Sequence, residues 1–141
     1  MDESARATID EIAATFFSIF CFEPGGQPDF EAVRALFIEQ GLLIKNSGAE
    51  PEINDLSAFI EPRERLVADG QLTRLAEQEL SATTQIFGNI AQRFSIYQKS
   101  GLLNGQAFDT RGKKTIQLIK TQAGWKMVSV AWDDEREGLS L

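Results

Sequence analysis

The sequence predicts an α+β fold in which N-terminal helices pack on a curved, mainly antiparallel sheet. Three observations carry this. Up to about residue 70 the apolar residues recur at helical spacing, as in Ile9, Ile12, Ala13, Phe16, Phe17, Ile19 and Phe20. Beyond Leu72 they alternate with the two-residue period of strands. Asn104-Gly105 and Gln122-Ala123-Gly124 then mark tight turns between successive strands. Helices followed by hairpins belong to sheets with the helices gathered on one face.

In the first helix Thr8 and Glu11 have capping-box spacing, and Pro24-Gly25-Gly26 supplies the stop. A second helix is expected from Pro28 and Asp29, with Phe30, Val33, Leu36 and Phe37 on one face and Gly41 closing it. Leu42-Leu43-Ile44 reads as a short buried strand, and Asn46 to Pro51 as a loop. Asn54 or Asp55 caps a third helix carrying Leu56, Phe59 and Ile60, with a break expected near Glu61 because Pro62 lacks a donor. Gly70 ends the piece through Leu66 and Val67. Long strands follow at about 74–87, 89–100, 107–121 and 124–133.

The 141 residues suit one domain spanning 1–141, long enough for a core that needs no staples. The single cysteine, Cys21, rules out an internal disulfide and reads as a small hydrophobe. The acidic Met1-Asp2-Glu3-Ser4 is unlike a secretory signal, and the stretch Ile9 to Phe22 is too short and too polar to span a bilayer. A cytoplasmic protein is expected. With net charge −7 and no basic run, nucleic acid is not an expected partner. Arg111, Lys113 and Lys114 read as the solvated start of a strand, and Asp133, Asp134, Glu135 and Glu137 as an exposed acidic end.

Histidine is absent. That removes the usual neutral-pH general base and the commonest transition-metal ligand, and it excludes serine–histidine triads. No cofactor or metal is expected.

In the second long strand Ile90, Phe94 and Ile96 share a face with Gln92 and Gln98, while Ala91, Arg93, Ser95, Tyr97 and Lys99 share the other. In the last strand both faces read as apolar, with Trp125, Met127 and Ala131 opposite Val128, Val130 and Trp132. A sheet covered on one side should be polar on the other. A second copy of the chain is the expected cover, giving a homodimer through the sheet.

The element order, the ending Gly124-Trp125-Lys126-Met127-Val128-Ser129-Val130-Ala131-Trp132 and the stretch Phe87-Gly88-Asn89-Ile90-Ala91-Gln92-Arg93-Phe94-Ser95-Ile96-Tyr97 together resemble the nuclear transport factor 2-like superfamily (SnoaL-like, ketosteroid isomerase-like). Within it the sequence resembles bacterial members usually left without an assigned function. The resemblance implies a cone-shaped roll, commonly dimeric, whose interior holds a small apolar molecule. It extends to isomerases, cyclases, a dehydratase and an epoxide hydrolase, and also to pure association modules, so the fold does not choose the function.

Against those chemistries, Lys45 follows an apolar run where an isomerase base is expected, and the first helix offers phenylalanines rather than a tyrosine. Dehydratase chemistry relies on histidine. Asp109, Asp133 and Asp134 lie near strand ends. An epoxide hydrolase arrangement would use Arg93 with Glu77 or Glu79, which equally make ordinary cross-strand pairs. Arg93, Ser95 and Tyr97 would converge on a carboxylate or carbonyl if their face lines the cone, and serve solvent or a partner if it does not. Phe16, Phe20, Phe59 and Trp132 are core residues that become pocket wall in a hollow cone. The candidate ligand-binding set is therefore Phe16, Phe20, Phe59, Arg93, Ser95, Tyr97 and Trp132, for a small apolar or carboxylate-bearing ligand. Binding domain, carboxylate–arginine enzyme and association module remain the three readings.

Overall fold

A computed structural model describes the backbone of residues 2–141 and the side chains of residues 3–141. Helix α1 (Asp2–Ile19) is followed by a 3-10 helix (Phe30–Leu36), strands β1 (Phe37–Lys45) and β2 (Glu52–Asn54), and helix α2 (Leu56–Ala68). Four long strands then run in succession: β3 (Leu72–Phe87), β4 (Ile90–Leu103), β5 (Gln106–Thr121) and β6 (Gly124–Asp134). All six strands form one sheet in the order β2-β1-β6-β5-β4-β3. Among the described residues only the β1–β6 pair is parallel. The helices pack on one face, giving the expected α+β roll.

Helix α1 buries Ile9, Ala13, Phe16 and Phe17, and Phe20 in the turn just after it continues the stripe. Each buried phenylalanine contributes about 2–3 kcal/mol by leaving water. The rings mesh edge to face, with Phe16–Phe20 centroids 5.2 Å apart and Phe20–Phe59 5.8 Å apart.

Several local expectations are corrected. Thr8 does not cap α1, because the helix already runs from Asp2 and the Thr8 hydroxyl donates back to the Ser4 carbonyl. The helix stops before the Pro-Gly-Gly stretch, since Phe22 exchanges backbone hydrogen bonds with Leu75 of β3. Cys21, beside that bridge, is exposed rather than buried.

The second helix is a 3-10 segment ending at Leu36, and Phe37 already belongs to a strand because it pairs with Met127. Gly41 therefore sits inside β1, at a register shift, with its open face against the Phe37 ring. Helix α2 is capped by Asp55, whose carboxylate accepts the Ala58 amide at 2.8 Å. It runs unbroken through Pro62, which forfeits one backbone bond in a helix held by Leu56, Phe59 and Ile60. The short β2 follows the expected loop and pairs with β1.

Strand β6 corrects the reading of two apolar faces. Leu118 pairs with Met127 and Gln117 with Ser129, so Val128 is an extra residue in a β-bulge. The bulge shifts the alternation by one. Trp125, Met127, Val130 and Trp132 then all point to the covered face and are all buried. The apolar content of β6 serves one core and does not by itself require a second cover.

Candidate functional site

The helix-covered face of the sheet is only partly filled. Between α1, α2 and the ends of β3–β5 lies a cavity of about 420 Å³, open to solvent. Phe16 from α1, Phe20 just after it, Phe59, Pro62 and Leu66 from α2, and Trp132 from β6 form its apolar wall. Leu72, Leu75, Leu103 and Phe108 extend that wall along the far ends of the strands. Phe108 is directly opposite Gly101, where a Cβ would collide with its ring.

One pole of the cavity is charged, lined by Lys45, Arg63, Glu77, Lys99, Lys114 and Asp134. Strand alternation explains this. Lys114 pairs in register with Ser95 and Trp132, which puts it on the inner face, while its neighbour Lys113 points outward beside Ile96. Lys114 is thus 4% exposed and not part of a solvated strand start. Its ammonium lies 4.2 Å from the Tyr97 ring centre, 4.5 Å from that of Trp132 and 2.8 Å from Glu77 Oε1. That contact is close but off the hydrogen-bond direction, so the buried Oε1 accepts no aligned hydrogen bond.

Asp134 likewise leaves the exposed acidic end assigned to it and lines the cavity, accepting a short hydrogen bond from the Tyr97 hydroxyl and lying 3.4 Å from Lys99 Nζ. Burial, and then the bond to Asp134, hold the Tyr97 phenol far above its ordinary pKa, so it stays protonated as a donor. Burial pulls the Lys99 ammonium below its usual value, Asp134 opposes this, and the nearby Lys114 and Lys45 charges add to the depression. Burial lowers Arg63 to about 10, with Glu77 and Glu52 offsetting part of the effect. Its guanidinium lies 3.6 Å over the Phe59 ring and donates to the Phe59 carbonyl at 3.0 Å.

Of the candidate ligand-binding residues, Phe16, Phe20, Phe59 and Trp132 line this cavity together. Tyr97 lies beneath it, tied to Asp134 and under the Lys114 ammonium. Arg93 and Ser95 share the inner face but are used elsewhere. Arg93 forks onto Glu79 at 2.6 and 3.0 Å and reaches Asp10 at 2.7 Å and Thr84 at 2.9 Å, while the Ser95 hydroxyl donates to Glu79 at 2.5 Å. Hydrogen bonding to Glu79 is the main cause that raises the Arg93 pKa. These residues clamp α1 to the sheet. The charged pole was missed in sequence because its members come from six separate elements. The inner-face parity of Lys99 and Lys114 was the signal available.

A second concavity of about 380 Å³ lies on the outer side, between Phe94, Thr115, Ala131 and residues 139–141. It has less charge buried around it than the inner cavity, which we take as the candidate site. Among the described residues no group of three or more acidic or thiol side chains is placed to hold a metal ion. No helix among them is long and apolar enough to cross a membrane.

No family model and no curated protein matches the sequence. Solved structures do. A nuclear transport factor 2-like superfamily protein from Salmonella enterica serovar Typhimurium superposes with a TM-score of 0.75 at 17% identity, over 94% of this chain and 92% of that one. A Kribbella flavida protein gives 0.75 at 17% identity, over 99% and 98% of the two chains. The chain has the nuclear transport factor 2-like fold. A nuclear transport factor 2-like protein of unknown function from Silicibacter pomeroyi agrees, with a TM-score of 0.63 at 18% identity over 96% and 99%. At these identities the nuclear transport factor 2-like likeness concerns architecture, and function has to be argued from the cavity.

Proposed function

We propose that the protein is a small-molecule-binding domain, one unit spanning residues 1–141, that holds its ligand in the inner cavity and works as a homodimer in the cytoplasm. The observation that carries this reading is the cavity itself, about 420 Å³ left open between packed phenylalanines in a fold that had aromatic rings enough to fill it. The free Cys21 is compatible with a reducing compartment.

The dimer rests on the uncovered face of the sheet. Phe87, Ile90 and Phe94 stand exposed there. Around Phe94 the outward positions include Thr83, Gln85, Gln92, Thr115, Gln117 and Ser129, and Lys113 is the charged neighbour, its ammonium 5.6 Å from the Phe94 ring centre. A face with exposed aromatic and aliphatic side chains among mostly uncharged polar ones suits an isologous contact.

Native mass spectrometry of the freshly purified chain, followed by denaturing analysis of what is released, tests both parts. A dimer carrying a discrete extra mass is the expected result. A bare dimer that takes up no added small molecule would move the protein to the association modules, and a bare monomer would remove the sheet-to-sheet contact.

An enzymatic reading is favoured by one observation. Glu77 is a buried carboxylate that faces the cavity with an oxygen lacking an aligned donor, as a general base requires. Lys114 Nζ lies 2.8 Å from that oxygen, so a substrate proton would have to approach beside an ammonium. Glu77→Gln decides this reading: it would abolish turnover of a bound compound while leaving binding intact, and unchanged turnover would remove Glu77 from any catalytic role.

A further inference from the structure

The charges at the cavity pole do not balance. Four cations, Lys45, Arg63, Lys99 and Lys114, face two carboxylates, Glu77 and Asp134, which leaves an excess of two positive charges in a chain whose net charge is −7. The carboxylates are already engaged, Glu77 with Lys114 and Asp134 with Lys99 and Tyr97. Arg63 and Lys45 are not. Among the described residues neither has a carboxylate oxygen within 4 Å. Glu52 stands opposite Lys45 in the β1–β2 ladder, but it is exposed and forms no ion pair with it.

Partly desolvated cations without partners cost free energy that an incoming anion offsets. At Arg63 burial lowers the guanidinium pKa to about 10, more than Glu77 and Glu52 offset. Its fork is held over Phe59 with one nitrogen on the Phe59 carbonyl, so the guanidinium is oriented before any ligand arrives. The wall next to it is aromatic and aliphatic, from Phe20, Phe59, Leu66 and Trp132.

Resting on the small-molecule reading above, we infer that the cavity selects an amphipathic monocarboxylate, whose carboxylate is received by Arg63 and Lys45 and whose apolar body lies against Phe20, Phe59 and Trp132. A carboxylate with an apolar body fits better than inorganic phosphate, because only the former has a part that Phe20, Phe59 and Trp132 can remove from water. The apolar wall excludes small, fully hydrated anions, which gain nothing from it.

The test is a titration of the purified full chain with octanoate, octanol and inorganic phosphate, read by calorimetry and by the fluorescence of Trp132, which lies in the cavity wall. Octanoate should bind at least about tenfold more tightly than octanol, the scale of one charge-assisted hydrogen bond. Arg63→Met should erase that preference and leave octanol binding in place. Lys45→Met, on a half-buried strand-end residue, should reduce it severalfold and serves as the second variant should Arg63→Met misfold.

Equal binding of octanoate and octanol would overturn the inference and leave the small-molecule reading standing. A preference that survives both variants would overturn the assignment to these two cations. Displacement of octanoate by millimolar phosphate would overturn the carboxylate class. Binding of neither octanoate nor octanol, with no compound retained on purification, would end both readings.

Discussion

Lys114 Nζ stands 2.8 Å from Glu77 Oε1 across the full width of β4, both side chains buried, without an aligned hydrogen bond between them. The pair joins β5 to β3 under the cavity. Its members depend on each other for charge neutrality more than for hydrogen bonding.

Removing one partner should therefore cost more than removing both. Lys114→Met leaves a buried, uncompensated carboxylate and should lower unfolding free energy by about 3–5 kcal/mol. The double variant Lys114→Met, Glu77→Leu should recover at least half of that loss. Urea denaturation of the single and double variants measures the difference, and a double variant no more stable than Lys114→Met would contradict the electrostatic coupling.

Arg93 behaves as a clamp, because its four hydrogen bonds go to Glu79, Asp10 and Thr84 and not to the cavity. Arg93→Met should destabilise by about 2–3 kcal/mol, below the range for a fully buried pair because Asp10 is half exposed and solvent screens it. Octanoate affinity should stay within about twofold of the parent, since 0.4 kcal/mol or less would be involved. A large loss of affinity with little loss of stability would return Arg93 to the binding site.

Gly112 lies under the Tyr97 ring, and a Cβ at that position would collide with the Tyr97 hydroxyl and the Asp133 carbonyl. Gly112→Ala should push the phenol off Asp134 and destabilise by about 1–3 kcal/mol, the usual scale of overpacking. Chemical denaturation gives the magnitude. Tyr97→Phe keeps the ring and loses only the hydroxyl, so it should be the milder change.

On the outer face, Phe94→Glu should convert a dimer to monomer with little change in monomer stability, because Phe94 is 53% exposed. Sedimentation of parent and variant decides this, and a variant that remains dimeric would move the contact elsewhere.

Binding should also depend on pH in a direction fixed by Arg63. Its folded pKa, about 10, lies below its unfolded value, so folding disfavours the charged form. That cost is present at neutral pH and is relieved as pH rises through about 10. A carboxylate needs the charged form, so octanoate affinity should hold at neutral pH and fall as pH climbs through about 10, while octanol affinity stays level. Lys99, lowered by burial, contributes in the same direction. Lys45, Lys114, Glu77, Asp134 and the exposed Glu52 are the other charges facing this pole, and Tyr97 keeps its proton throughout. Calorimetry across that range is the measurement, and a flat octanoate profile would remove Arg63 as the receiving group.

Much of the fold was legible because periodicity and turn chemistry are local. The stripe from Ile9 to Phe20, the cap at Asp55 and the turn at Asn104-Gly105, where both residues have positive φ, need only a few neighbouring residues to be recognised. The errors came where a distant strand overrode a local preference. Phe37 left its helical pattern to pair with Met127, and α2 continued through Pro62 because Phe59 and Ile60 anchor it on both sides of one missing bond.

By itself the sequence determined the α+β class, the order of the long strands, the aromatic inner wall and the absence of histidine chemistry. These follow from side-chain type and spacing along the chain. Only the tertiary structure decided which face of β4 is covered, that Val128 bulges and turns four apolar residues of β6 inward, and that Lys114 and Asp134 are brought together at one cavity pole with Lys45, Arg63, Glu77 and Lys99. The reason is physical. A strand's alternation defines two faces but not which one meets the helices, and a one-residue bulge exchanges them. The charge balance of a cavity is a sum over elements that meet only when the sheet has formed.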